Sequence, residues 1–218
     1  MLIDPATLGR SDLNQLMVGL IGPRPIAWVS TLAEDGSRNL APFSFFNAFS
    51  FNPPVLAVGP GSRAGIEKDS LRNIRATGEF TVSVVTEELA EQANRSSGDF
   101  PAEVDEWAIA DVHPGESADV KPAYVAESPA AFECRVKQIV DLGTPEQPSN
   151  TLVIGLVTRI HVDEAILDGY DPQPGRLHLV GRMGGPLWCT TRHRFALPRP
   201  RADELDDLLA GQDGSHAR

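Results

Sequence analysis

The chain has 218 residues, 41% of them apolar and 22% charged, with a formal charge of −11 at pH 7. That balance excludes a disordered chain and argues against a nucleic-acid partner, because clustered cations are what hold phosphate backbones. Two cysteines, Cys134 and Cys189, exclude a disulfide scaffold, and they lack the close Cys-x-x-Cys spacing of a zinc or dithiol site. The sequence does not assign a role to Cys189.

Met1-Leu2-Ile3-Asp4-Pro5 carries an acid where a signal peptide needs a basic start and an apolar run. No later stretch approaches the ~20 apolar residues of a membrane span. A soluble, reducing, cytoplasmic setting without membrane attachment is the expectation.

In chain order, Ser11 to Val18 reads as a short helix with Leu13, Leu16 and Met17 inward. Pro25 to Leu32 and Asn39 to Phe46 read as strands flanking Asp35-Gly36, a dipeptide that tolerates positive φ and so closes an antiparallel hairpin. Pro54 to Gly59 is a third strand. Asp69 to Thr77 is a helix with Leu71 and Ile74 on one face and Gly78 as its stop. Phe80 to Thr86 is a strand, and Thr86 to Asn94 a helix capped by Thr86 with Glu87 and Glu88 in its first turn. Gly98 to Pro129, rich in Pro, Gly, Ala and acids, reads as an irregular excursion anchored by Trp107. Ala131 to Leu142 and Thr151 to Val162 form a long hairpin around the polar loop Gly143 to Asn150. Residues 1–200 are expected to form one domain, and the charged tail 201–218 to fray. Six strands with mostly direct connections make a mainly β chain and favour a closed or partly closed barrel over a doubly wound sheet.

The usual motifs fail. Gly59-Pro60-Gly61-Ser62-Arg63-Ala64-Gly65 has its third glycine one place late for a dinucleotide fingerprint, and Ser62 follows Gly61 directly, which spoils a nucleophile elbow. His161 and Asp163 would share a strand face without a third ligand, so a structural histidine is the preferred reading. Cys134 lies in an apolar strand pattern and reads as inert core.

Two segments carry chemistry. Asn39 to Pro54 holds five of the nine phenylalanines, interleaved with Ser44, Asn47, Ser50 and Asn52. The mixture suits a strand leaving the sheet beside a flat, partly polar object, though a core strand followed by a turn explains it as well. From Gly59 to Ala76 stand four cations, Arg63, Lys68, Arg72 and Arg75, against two acids. With Lys68 and Ser70 flanking a helix N-terminus, an anion seat follows; the alternative is that Asp69 caps its own helix and the arginines are solvated.

In order along the chain, Arg24-Pro25-Ile26-Ala27-Trp28-Val29-Ser30-Thr31, Asn39 to Asn47, Asn52-Pro53-Pro54, Lys68-Asp69-Ser70-Leu71-Arg72-Asn73-Ile74, Glu79-Phe80-Thr81-Val82, Gln92-Ala93-Asn94-Arg95-Ser96-Ser97 and Val180-Gly181-Arg182-Met183-Gly184-Gly185 together resemble the flavin reductase-like, FMN-binding split-barrel family. The resemblance spans about Ile3 to Pro200. It implies a six-stranded antiparallel Greek-key split barrel that works as a homodimer. It also implies FMN as cofactor, NADH or NADPH as co-substrate, and in some relatives a partner monooxygenase; other relatives are electron carriers of the flavoredoxin type. By position, Ser44, Phe45, Phe46 and Asn47 would border the isoalloxazine ring, with Ser50 behind and Ser30 and Thr31 on the neighbouring strand. Lys68, Asp69 and Ser70 would meet the phosphate. Two departures stand out: Ser70 where relatives often have Thr, and Trp188-Cys189-Thr190-Thr191 where they often have Tyr and an Arg-Thr pair. A split-barrel enzyme holding another phosphate ligand, such as pyridoxal phosphate, is the remaining alternative.

Overall fold

The computed structural model describes residues 1–63, 66–101, 103–144 and 150–201. Its main elements are α1 (Arg10–Leu20), β1 (Ala27–Leu32), β2 (Arg38–Phe43), β3 (Phe46–Phe51), β4 (Pro54–Val58), α2 (Asp69–Thr77), β5 (Glu79–Val84), α3 (Ala90–Arg95), α4 (Glu106–Ala110), β6 (Ala130–Asp141) and β7 (Thr151–Val162). A short hairpin, β8 (Val180–Arg182) and β9 (Trp188–Thr190), pairs with Arg24–Pro25.

The strands β1 to β7 form one antiparallel sheet in the order β2-β1-β5-β6-β7-β4-β3. Its two outermost strands are a single stretch of chain, broken only at Ser44-Phe45, so the sheet curls until its edges meet in one segment. This is a split barrel, the architecture implied by the resemblance. The seven strands replace six because the expected strand Asn39 to Phe46 breaks at Ser44 and then resumes as far as Phe51. Register shifts at Glu133/Cys134 and Val136/Gln138 bend the long β6–β7 hairpin, as bulges do.

Strand pleating separates two cores. Ala27, Val29, Phe43, Leu56, Val58, Phe80, Val82, Cys134, Val153 and Val157 fill the barrel, and Leu71 and Ile74 of α2 close it. On the opposite face Trp28 and Leu40 pack under Leu89, Ala93, Trp107 and Ala110, which puts α3 and α4 against β1 and β2. Gly155 lies under the Phe80 ring, where a Cβ would come within 2.5 Å of Phe80 Cζ. Gly78, at φ 70°, ends α2 and donates its N–H to Ile74 O.

Three further expectations change. Helix α1 runs longer than Ser11 to Val18 and has no buried residue; Met17 is 50% exposed, so the apolar side of α1 is not part of either core. The helix after β5 begins at Ala90, without a Thr86 cap, because Thr86 and Glu87 are drawn into pairing with the C-terminal segment: Thr86 bridges Leu179 and Glu87 N–H donates to His178 O at 2.9 Å. Tertiary pairing here outweighs a good capping residue. The excursion from Gly98 to Pro129 is partly regular, holding α4 and the Pro114–Gly115/Tyr124–Val125 ladder. Of the loop from Gly143 and the charged tail, residues 145–149 and 202–218 lie outside the described residues. Among the described residues, no helix is long and apolar enough to cross a membrane.

Candidate flavin site

Helix α2 starts beside the open side of β2. Lys68 is its N-cap residue and caps it with no side-chain bond, while Lys68 O accepts the N–H groups of Leu71 and Arg72. A helix start of this kind directs backbone donors and a positive dipole end outward. Next to it lies a cavity of about 440 Å³, lined by Lys68, Asp69 and Ser70, by Asn39, Ala41 and Pro42 on β2, and by the segment Ser96 to Pro101 with Glu106. The far wall is fixed from beneath: Trp28 Nε1 donates to Ser96 Oγ at 2.9 Å, and Ser96 Oγ donates to Ala93 O.

The cavity is less cationic than the charge count suggests. Arg72 pairs with Asp69, and Arg75 pairs with Glu67 at 2.6 Å and Asp141 at 2.5 Å. The side chain of Arg63 lies outside the described residues. Lys68 is therefore the one cation among the described lining residues, facing Glu67, Asp69, Asp99 and Glu106. Its Nζ also stands 5.4 Å from the centre of the Phe43 ring.

That contact links the cavity to the break in the long strand. Ser44 is half-buried and accepts a hydrogen bond from Arg24 Nε at 3.3 Å, so its own O–H is free to donate elsewhere. Arg24, 7% exposed, also donates to Val18 O and Ile21 O at 2.6 Å each and to Met183 O at 3.0 Å. Phe45 is 46% exposed, Phe46 rests against the barrel core, and Ser50 is half-buried. Asn47 is exposed and accepts from Ala48 N–H.

The site residues thus fall into two adjoining groups, Lys68-Asp69-Ser70 and Ser44 to Asn47 with Ser50. Ser30 and Thr31 join neither as open surface. Both are buried, at 2% and 1% exposure, on opposite faces of β1, and Thr31 Oγ1 accepts from Asn73 Nδ2 at 3.1 Å, where it steadies α2. Successive residues of a strand cannot face one ligand together. The sequence reading left out Asn39, Glu106 and Ser96 to Phe100 as cavity walls. Asn39 and Ser96-Ser97 sat inside segments that carried the resemblance, whereas nothing local marks Glu106.

Outside the cavity, His161 Nε2 stands 2.6 Å from Glu133 Oε1 and Asp163 accepts from Ala165 N–H, so the two do not act as a pair. The Cys134 thiol is pushed up to about 12 by burial and by Glu133, which makes it inert. Cys189 is a half-buried free thiol.

A split barrel with a cavity of this size at a helix start, next to a partly exposed aromatic strand, suits the binding of a small anionic molecule. Residues 21–183 match the family described as flavin reductase like domain, and the chain belongs to that family. A protein from Deinococcus radiodurans is 38% identical over 98% of this chain and 96% of its own. Among solved structures, nitrilotriacetate monooxygenase component B from Bacillus cereus is 31% identical with a TM-score of 0.87, covering 90% of this chain and 98% of that one. The 2-nitrobenzoate 2-nitroreductase NbaA of Pseudomonas fluorescens is 28% identical with a TM-score of 0.83, covering 92% and 96%.

Proposed function

We propose that the protein is an FMN-dependent flavin reductase that takes hydride from NADH or NADPH, working as a cytoplasmic homodimer. The observation that carries this reading is the cavity beside Lys68, with a cation and helix amides at its edge, together with the Lys68–Phe43 contact that ties it to the strand leading to the partly exposed Phe45. These residues fit a phosphorylated flavin. When bound, FMN supplies the hydride-accepting chemistry, which leaves the protein to orient and tune. Lys68 with the first amides of α2 and the Ser70 hydroxyl holds the phosphate. Phe45 and Phe46 give the ring an apolar surface, and Ser44, turned by Arg24 into a donor, reaches an acceptor atom on the ring edge. Asn47 and Ser50 border the same edge, while Asp69 lines the seat paired with Arg72, and Thr31 steadies α2 through Asn73.

A yellow protein that oxidises NADH or NADPH in the presence of excess free flavin is expected. Bound FMN without turnover on either nicotinamide would leave the electron-carrier reading of the flavoredoxin type, and failure to take up FMN would overturn both. Substituting Lys68→Ala and Ser70→Ala together should weaken FMN binding by roughly ten- to a hundredfold, the size of lost charge-assisted contacts; unchanged affinity in a fluorescence titration would place the phosphate elsewhere. The likeness to a monooxygenase component supports delivery of reduced flavin to a partner monooxygenase.

The dimer is supported by Met17, Leu20 and Ile21 at the end of α1 and Phe49 and Phe51 on β3, which are 50%, 76%, 54%, 69% and 91% exposed. Arg24 ties that end of α1 to the start of β3, and apolar surface of this extent calls for a cover. Light scattering should give twice the chain mass, and a strict monomer would refute it.

A further inference from the structure

Three side chains in the cavity wall form a directed chain. Glu106 Oε1 accepts from Asn39 Nδ2 at 3.0 Å, Glu106 Oε2 accepts from Leu40 N–H at 3.4 Å, and Asn39 Oδ1 accepts from Ser70 Oγ at 2.5 Å. All three are nearly closed off behind the cavity surface, at 7%, 8% and 1% exposure for Glu106, Asn39 and Ser70. An ionised carboxylate only accepts, so it turns the Asn39 amide nitrogen towards itself. The Asn39 oxygen then faces Ser70 and consumes its single O–H. In that state Ser70 offers lone pairs to the cavity, which a phosphate oxygen cannot use.

We propose that Glu106 and Asn39 are positioning residues of the anion seat, and that a phosphate group enters it together with one proton, taken from solvent and bound on Glu106. Once protonated, Glu106 donates to Asn39 Oδ1, the Asn39 amide turns over, and its nitrogen donates to Ser70 Oγ. The Ser70 O–H is released to the phosphate. No other bond is made or broken.

Charge favours the same step. Glu106 is faced by Asp35 and Arg38 of the β1–β2 hairpin and by Glu67, Lys68, Asp69 and Arg72 at the start of α2. Asp99 and Glu103 line the same cavities from its own side, and its chain neighbour Asp105 lies next to it in sequence. Arg38, Arg72 and the nearby Arg75 are paired with Asp105, Asp69 and Glu67. An incoming dianion therefore meets the Glu106 charge with Lys68 as the one cation among the described lining residues to offset it. Burial, and to a lesser degree Asp69, pushes the Glu106 carboxyl above its ordinary value, against the hydrogen bonds it accepts. Protonation is thereby brought closer to neutral pH.

The inference rests on the reading of the cavity as the FMN phosphate seat, and the test separates the two. FMN and riboflavin are titrated calorimetrically into the flavin-free full-length protein between pH 6.5 and 8, in two buffers of different ionisation heat. The preference for FMN over riboflavin should fall as pH rises, by up to about tenfold per unit, with up to one proton taken up on FMN binding. The phosphate's own second ionisation, near ~6, acts in the opposite direction and is common to every variant. Glu106→Gln, whose amide can donate to Asn39 as the protonated acid does, should abolish the uptake and bind FMN roughly three- to tenfold more tightly than wild type at pH 8. Ser70→Ala should lose most of the preference and part of the uptake. Equal uptake in wild type and Glu106→Gln, or weaker FMN binding by Glu106→Gln, overturns the proposal. Should Glu106→Gln not fold, the absence of uptake by wild type alone overturns it. Equal affinity for FMN and riboflavin at every pH would overturn the phosphate reading itself and this inference with it.

Discussion

Glu133→Ala is expected to lower the stability of the protein by about 3–5 kcal/mol, the summed cost of leaving three backbone donors without their acceptor. Glu133 is wholly buried and accepts from Ala118 N–H at 2.7 Å, Asp119 N–H at 2.6 Å and Val120 N–H at 3.0 Å, and from His161 Nε2 at 2.6 Å. One carboxylate on β6 thus fastens the excursion between α4 and β6 to the barrel, and an alanine leaves those amides without acceptors. Denaturation midpoints will measure the loss, and a change below about 1 kcal/mol, the worth of one ordinary hydrogen bond, would refute this role. The pH dependence has a definite sign. Burial opposes the charged form, but the hydrogen bonds from Ala118, His161, Asp119 and Val120 outweigh it and hold the carboxyl below the usual range. The contribution is then complete above the unfolded carboxylate pKa of ~4.3 and is lost as pH falls through the lower folded value. Acid titration of stability should be shallower in Glu133→Ala than in wild type.

Arg24→Ala should cost about 2–4 kcal/mol, from several carbonyl contacts each made by a charged donor and one at a helix end. The guanidinium fork serves Val18, Ile21, Met183 and Ser44 at once because its donors diverge in one plane. Arg24→Lys keeps the charge without the fork and should recover less than half of the loss. Urea midpoints measure stability, and amide exchange near Ile21 reports on α1 directly. If Arg24→Ala leaves both unchanged, α1 is held by other contacts.

Much of the frame was legible because its signals are local. The α2 bounds follow from Leu71, Ile74 and Gly78, and β7 from a stretch rich in β-branched and apolar residues between a polar loop and Asp163. The break at Ser44-Phe45 was not legible as a break, since the phenylalanines continue through it. Thr86 misled because the partner that displaces its cap, Leu179, lies far along the chain. For the site, Lys68 and Ser70 could be read from a helix start, but Glu106 could not. It reaches the cavity only because Trp107 and Ala110 dock α4 against Leu40 and Trp28, a packing that no short-range pattern announces.

The gap in the barrel has a consequence for self-association. A strand paired on one side leaves a row of backbone donors that another chain can extend. Along β2 the outward donor at Leu40 is taken by Glu106, and the next outward position, two residues on, is Pro42, which has no N–H. The open edge is therefore blank where it is most exposed to strand addition, so the barrel can remain split beside its cavity without becoming a template for fibrous growth.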